Sequence, residues 1–129
     1  MENNPALKLL VVDDEETIVS FTRKLFDKKG FVTFGATDGV AAVEIFKKEK
    51  PHISLIDVHM PFSPINGIET LRQIKEIDQD AVCLMVTRIT ERTAVEACRK
   101  LGALAYLKKP LDIDDLEKVV EKAKGYIKQ

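Results

Sequence analysis

The sequence has 129 residues, a length that suits one domain with a single hydrophobic core. Hydrophobic residues make up 45% and charged residues 32%, a balance typical of globular proteins that argues against a largely disordered chain. With 20 basic and 21 acidic residues the formal net charge is −1, so no overall field favours nucleic acid binding.

The sequence shows no targeting or membrane-spanning segment, so we expect a cytoplasmic protein that does not contact a membrane. The first residues, MENNPALK, lack the basic and apolar regions of a signal peptide, and no apolar stretch approaches the roughly 18 residues of a membrane span. Cys83 and Cys98 occur without a CxxC motif or a paired histidine. We therefore expect both cysteines to be small core residues of a protein in a reducing compartment.

Short apolar runs alternate with helical patterns along the chain. The runs predict strands at 7–12, 31–36, 52–57, 81–86 and 103–107. The patterns between and after them predict helices at 16–28, 38–49, 66–77, 91–101 and 112–127. Asp112 suits the N-cap of the last helix, and Gly30 and Gly102 suit positions just past helix ends. Five uninterrupted strand–helix units predict a doubly wound α/β fold with a parallel sheet and helices on both faces.

The first strand runs directly into four carboxylates in the stretch LLVVDDEE, residues 9–16. Two unit charges about 4 Å apart repel by roughly 4 kcal/mol at an effective dielectric constant near 20. In open α/β sheets, sites form at the carboxyl ends of the strands. Polar residues at these ends are, in chain order, Asp13 and Asp14, Thr37 and Asp38, Asp57, Thr87 and Arg88, and Lys108 and Lys109. We expect Asp13, Asp14 and Asp57 to converge, with Thr87 and a lysine nearby.

A hard divalent cation such as Mg²⁺ relieves the repulsion between three clustered carboxylates. An aspartate beside such a cation can also attack phosphorus, while a lysine and a hydroxyl group neutralise the phosphoryl oxygens. The composition and periodicity do not choose between this phosphoryl transfer and simple magnesium binding. Taken alone, Asp13 and Asp14 could equally cap the first helix.

Five motifs resemble the receiver domains of two-component response regulators: LLVVDDEE, SLIDVHMP, ING, MVT and GALAYLKKPLD. They occur in order, at strand ends and at receiver-like spacing, over almost the whole chain. The resemblance implies a flavodoxin-like five-stranded parallel sheet of strand order 2-1-3-4-5. It also implies one receiver domain over residues 1–129, with no output domain in this chain.

The resemblance assigns the chemistry to particular residues. Asp57 is expected to accept the phosphoryl group, and Lys109 is expected to pair with that group. The Lys109–Pro110 peptide bond is expected to be cis. Asp14 is expected to bind Mg²⁺ directly and Asp13 largely through water, with Asp57 and the backbone carbonyl of His59 as further ligands.

The resemblance also implies a switch and a set of partners. The Thr87 hydroxyl is expected to bind the phosphoryl group, and the ring of Tyr106 to turn inward in response. This change should alter the face formed by the fourth helix, fifth strand and fifth helix. The implied partners are a sensor histidine kinase or phosphotransfer protein and a downstream protein or output domain, without direct nucleic acid binding. A homodimer formed on phosphorylation is a further expectation.

Two other function classes compete with the receiver interpretation. An aspartate-nucleophile phosphatase would be an enzyme, but its second acid is replaced by His59, two residues after Asp57. A pseudo-receiver that only binds partners should lack part of the metal, aspartate and lysine set, which this chain retains. We therefore expect a signalling protein that assists only its own phosphorylation and dephosphorylation. No glycine-rich nucleotide fingerprint is found.

Two features depart from the usual receiver pattern, and the side chain of a third residue could affect hydrolysis. In MPFSPING, Gly67 lies ten residues after Asp57, about two more than usual, so residues 62–66 extend the loop beside the site. Arg88 follows Thr87 where receivers usually have a small residue, and it could shield a phosphoryl group or face solvent. The side chain of His59 could orient an attacking water.

Overall fold

Five parallel strands form one sheet in the order β2-β1-β3-β4-β5. The computed structural model describes residues 5–88 and 92–128. Its strands are β1 (Lys8–Val12), β2 (Val32–Ala36), β3 (Ile53–Asp57), β4 (Val82–Thr87) and β5 (Ala105–Lys108). Its α-helices are α1 (Glu16–Asp27), α2 (Gly39–Glu49), α3 (Gly67–Ile77), α4 (Arg92–Lys100) and α5 (Ile113–Ala123). The predicted α/β class and strand order 2-1-3-4-5 are confirmed.

Each buried strand contributes side chains to two separate cores because successive residues point to opposite faces. One core lies between the sheet and α2, α3 and α4, and contains Leu10, Val12, Ile56, Phe46 and Leu71. The other lies between the sheet and α1 and α5, and contains Leu9, Val11, Leu55, Phe26 and Leu116. The all-apolar run of β1 is therefore explained by burial on both faces. Cys83 and Cys98 are buried and free, as predicted.

The helix ends follow local sequence signals. Gly30 and Gly102 have φ of 95° and 94°, the left-handed conformation expected just past α1 and α4. Asp112 caps α5, since its carboxylate accepts a hydrogen bond from the Asp115 N–H at 3.1 Å. The prediction that this helix continues to residue 127 was wrong. It ends at Ala123, and a 3-10 turn follows over Lys124–Tyr126, where Gly125 disfavours continued α-helix.

Other boundaries differ by one or two residues. Strand β4 extends to Thr87, and β5 begins at Ala105. The Ala103 N–H donates to the Cys98 carbonyl in the turn after α4, and the Leu104 N–H already donates to the Cys83 carbonyl of β4. The predicted first residue of the fourth helix, 91, lies outside the described residues.

Candidate functional site

Three aspartates converge at the carboxyl edge of the sheet, where β1 and β3 end side by side. Asp57 is the last residue of β3, and Asp13 and Asp14 follow β1 directly. One carboxylate oxygen from each residue lies within 4.8 Å of the other two. Asp13 and Asp57 are buried, and Asp14 is half-buried. The structure thus brings together the three carboxylates that the strand-end pattern predicted.

Lys109 places a buried cation between two of these carboxylates. Its Nζ donates to Asp13 Oδ2 at 2.7 Å and to Asp57 Oδ2 at 3.1 Å. The lysine is held at the end of β5 because its backbone N–H donates to the Thr87 carbonyl at 2.8 Å. The Lys109–Pro110 peptide bond is cis, as predicted. Lys108, by contrast, is exposed and takes no part in the cluster.

Burial and neighbouring charge shift the pKa of both members of the central pair. Burial raises the pKa of Asp57 above its ordinary value, and the charge of Asp13 raises it further, against the opposing effect of Lys109. Burial alone would lower the pKa of Lys109, but hydrogen bonds and charges from Asp13 and Asp57 raise it. The lysine therefore stays cationic, and its ammonium offsets part of the negative charge of the aspartate cluster.

The donor set fits a hard divalent cation. Asp14 Oδ2 is buried and has no hydrogen-bond partner in the described part of the chain, an arrangement that costs free energy unless a cation faces it. Three carboxylate oxygens around one point are the ligands that Mg²⁺ and Ca²⁺ prefer. The His59 N–H donates to Asp57 Oδ1 at 3.2 Å, while the His59 side chain is exposed.

Asp13 and Asp14 do not cap the first helix. The N-cap of α1 is Glu15, whose own side chain makes no capping bond. Asp13 Oδ1 instead accepts a hydrogen bond from the Glu15 N–H at 2.9 Å, which fixes the direction of the carboxylate. At the same sheet edge Asp38 has a structural role, since it caps α2 through the Ala41 N–H at 2.8 Å.

Thr87 and Tyr106 connect the cluster to the edge strand β5. Thr87 ends β4 and is fully buried, and Tyr106 is half-buried on β5 opposite Met85. Burial raises the pKa of Tyr106, while a hydrogen bond with the Thr87 side chain acts in the opposite direction. The hydroxyl predicted to bind phosphate and the predicted switch aromatic are therefore in contact.

The extended loop after β3 is built around two residues whose roles the sequence pattern did not reveal. Ser63 Oγ accepts from the Gly39 N–H of α2 at 2.8 Å and donates to the Ile65 carbonyl at 2.5 Å. A Cβ on Gly67 would lie 2.0 Å from the Asp57 carbonyl oxygen, so only glycine lets α3 begin this close to β3. Phe62, at the turn of the loop, is 91% exposed.

Arg88 lies at the mouth of the site but does not contact the three aspartates. Its Nη2 donates to Glu15 Oε2 at 3.2 Å, so the guanidinium joins the loop after β4 to the loop after β1. Both side chains are exposed to solvent. The sequence offered no sign of this partner, which is 73 residues away in the chain.

Comparison with known proteins assigns the family. A model of the response regulator receiver domain matches residues 9–121. The chain belongs to the response regulator receiver domain family. Receiver domains are signalling modules of two-component systems that bind Mg²⁺ in an acidic pocket and interact with histidine kinases, phosphotransfer proteins and output domains. No helix within residues 5–88 and 92–128 of this receiver domain is long and apolar enough to cross a membrane.

The receiver domain resembles proteins of several architectures. Sporulation initiation phosphotransferase F of Bacillus subtilis (strain 168) is 36% identical over 115 residues, which are 89% of this chain and 91% of that protein. Regulatory protein AtoC of Escherichia coli (strain K12) is 33% identical over 117 residues, 90% of this chain but 25% of that protein. A CheY-like receiver domain protein of Methanospirillum hungatei JF-1 shares the fold, with a TM-score of 0.86 at 24% identity over 95% of this chain and 97% of that one.

Proposed function

We propose that this receiver domain accepts a phosphoryl group on Asp57 from a histidine kinase or phosphotransfer protein and signals through a change in its α4–β5–α5 face. One observation carries the proposal: the Lys109 ammonium bonds both Asp57 and Asp13, while the neighbouring Asp14 Oδ2 has no partner among the described residues. A purely structural ion pair would not require a third, uncompensated carboxylate beside it.

Phosphoryl transfer begins with attack by a carboxylate oxygen of Asp57 on the phosphorus of the donor. As the new O–P bond forms, the bond from phosphorus to the donor's nitrogen or oxygen breaks, and the electron pair leaves with the donor. Asp57 is orientated for this step because Lys109 holds Oδ2 and the His59 N–H holds Oδ1. The Lys109 ammonium and the Thr87 hydroxyl then neutralise the phosphoryl oxygens.

A Mg²⁺ ion held by Asp13, Asp14, Asp57 and the backbone carbonyl of His59 would supply further positive charge to the phosphoryl oxygens when bound. Hydrogen bonds within the chain already hold one of these carboxylates in position. The Glu15 N–H and Lys109 each hold one oxygen of Asp13, so that carboxylate is already fixed.

The signal leaves the site through Thr87. Because the Thr87 side chain contacts Tyr106, a shift of the hydroxyl towards a phosphoryl group releases the Tyr106 ring to change position. Tyr106 lies on β5, between α4 and α5, and a groove lined by Val95, Cys98 and Leu104 adjoins its ring. A protein partner that reads this surface detects phosphorylation of Asp57 without contacting it.

The remaining assignments follow from the same function. Residues 1–129 form one receiver domain located in the cytoplasm, and its chemistry is limited to its own phosphorylation and dephosphorylation. The exposed His59 side chain, two residues after Asp57, orients the water that removes the phosphoryl group. Phosphorylation also allows two copies of the domain to form a homodimer through the α4–β5–α5 face.

The test is phosphorylation by a small donor. The purified domain is incubated with acetyl phosphate and Mg²⁺ and its intact mass is measured; one added phosphoryl group is expected. The addition should disappear in Asp57→Asn and with excess chelator. Asp38→Asn is the matched control, because it changes a carboxylate at the same sheet edge, and asparagine also caps helices well. Equal labelling of Asp57→Asn and the control would contradict the proposal.

A further inference from the structure

Arg88 and Glu15 complete a closed chain of contacts around the mouth of the site. The Arg88 guanidinium donates to the Glu15 carboxylate at 3.2 Å, and the Glu15 N–H donates to Asp13 Oδ1 at 2.9 Å. The other oxygen of Asp13 accepts from Lys109 Nζ at 2.7 Å. The Lys109 N–H donates to the carbonyl of Thr87, the residue before Arg88, at 2.8 Å.

The Arg88–Glu15 contact is the weakest link of this chain. The Arg88 side chain is 69% exposed and the Glu15 side chain 47% exposed, whereas those of Asp13 and Lys109 are buried. Exposed ion pairs contribute little to stability because water screens them and because two long side chains must be ordered. The guanidinium can therefore leave Glu15 at little cost when a stronger anion comes within reach.

A phosphoryl group on Asp57 is such an anion. It carries up to about two negative charges and accepts two parallel hydrogen bonds from a guanidinium, where Glu15 offers one charge. Arg88 lies close to the cluster, because Thr87, the residue before it, accepts a hydrogen bond from the Lys109 N–H at 2.8 Å, and Arg88 and Lys109 also line one cavity of about 370 Å³ between α1 and the start of α5. Lys109 bonds directly to Asp57.

We propose that Arg88 pairs with Glu15 before phosphorylation, and that phosphorylation of Asp57 moves the guanidinium from the Glu15 carboxylate to the phosphoryl oxygens. This new contact slows hydrolysis of the aspartyl phosphate. This inference rests on the proposed phosphorylation of Asp57. In hydrolysis the oxygen of a water molecule attacks phosphorus, the bond to the Asp57 oxygen breaks, and carboxylate and inorganic phosphate are released. A guanidinium lying across the phosphoryl oxygens covers part of the approach of that water, and this steric shielding slows the attack.

Competition between two anions for one cation gives the two substitutions opposite effects. Arg88→Ala removes the shielding cation, so the phosphoryl group should be lost about three-fold faster, a change typical of one exposed charge contact. Glu15→Gln removes the competitor and frees Arg88, so the loss should be about two-fold slower. In the Arg88→Ala background, Glu15→Gln should not change the rate of phosphoryl loss, because no guanidinium remains to be released.

The experiment labels each variant with acetyl phosphate and Mg²⁺, removes the donor, and follows the decay of the phosphorylated mass. Glu16→Gln is the matched control: it deletes the same charge one residue later, and Arg88 bonds to Glu15 rather than to Glu16. Decay of Glu15→Gln that is unchanged, faster or equal to that of Glu16→Gln would overturn the inference. So would a Glu15→Gln effect that persists in the Arg88→Ala background. Failure of every protein to take up phosphate would instead refute the proposed function.

Discussion

Replacement of Asp57 by asparagine should stabilise the metal-free domain, although it removes a hydrogen-bonded charge. Asp57 is 4% exposed, and burial together with the charge of Asp13 raises its pKa. A raised pKa means that the folded state disfavours the ionised carboxylate. Asparagine has the same shape, and its side-chain oxygen can still accept the His59 N–H.

The magnitude follows from the distances in the cluster. Carboxylate oxygens of Asp13 and Asp14 lie within 4.8 Å of Asp57, so each repels it by at least about 3.5 kcal/mol at an effective dielectric constant of 20. Lys109, at 3.1 Å, attracts it by about 5 kcal/mol on the same scale. The two repulsions exceed the attraction by about 2 kcal/mol, and the burial cost has the same sign. For a domain of this size, that is a rise of about 7 °C in melting temperature.

The effect should depend on pH in a defined direction. The folded state binds the Asp57 proton more tightly than the unfolded state. This group therefore lowers the stability as pH rises from the ordinary aspartate pKa of 3.8 through the raised folded pKa. The advantage of Asp57→Asn therefore grows as pH rises through the folded pKa of Asp57 and vanishes as pH falls towards 3.8. Thermal unfolding with chelator, followed by circular dichroism at several pH values, measures it, with Asp38→Asn as control. A lower melting temperature for Asp57→Asn at neutral pH would show that the attraction of Lys109 outweighs the repulsion.

Three further predictions concern the metal, the loop and the switch. Mg²⁺ should raise the melting temperature of the wild type and have much less effect on Asp14→Asn; an equal rise would place the ion elsewhere. Gly67→Ala should destabilise the domain by about 3 kcal/mol or more in denaturant unfolding, because its Cβ would lie 2.0 Å from the Asp57 carbonyl oxygen; a neutral change would contradict this close approach. Phosphorylation should shift amide NMR signals over residues 104–112, and shifts confined to residues touching Asp57 would argue against the switch.

The convergence of the site was predictable because parallel strands force it. In a sheet of order 2-1-3-4-5, the carboxyl ends of β1, β3, β4 and β5 lie side by side. Polar residues at or just after the ends of those strands, such as Asp13, Asp57 and Lys109, are therefore brought together by the backbone alone. The positions of the strands were predictable from the long apolar runs, because such runs are typical of strands that are buried on both faces.

The side-chain contacts that refine the site were not predictable in the same way. Arg88 has a long, exposed side chain, and its direction depends on Glu15, which only the folded chain brings near. Ser63 could be assigned to the loop, but its bond to the Gly39 N–H of α2 depends on the path of that extended loop. The last helix was predicted too long because the apolar stripe continues to Ile127, which still packs against the core beyond the end of α5.

The most direct test of the central claim is to identify the residue that carries the phosphoryl group. Borohydride reduces an aspartyl phosphate to homoserine, which peptide mass spectrometry then locates in the chain labelled with acetyl phosphate. The account predicts conversion at Asp57, with Asp13 and Asp14 unchanged. Conversion at Asp13 or Asp14, or labelled protein without homoserine at position 57, would contradict it.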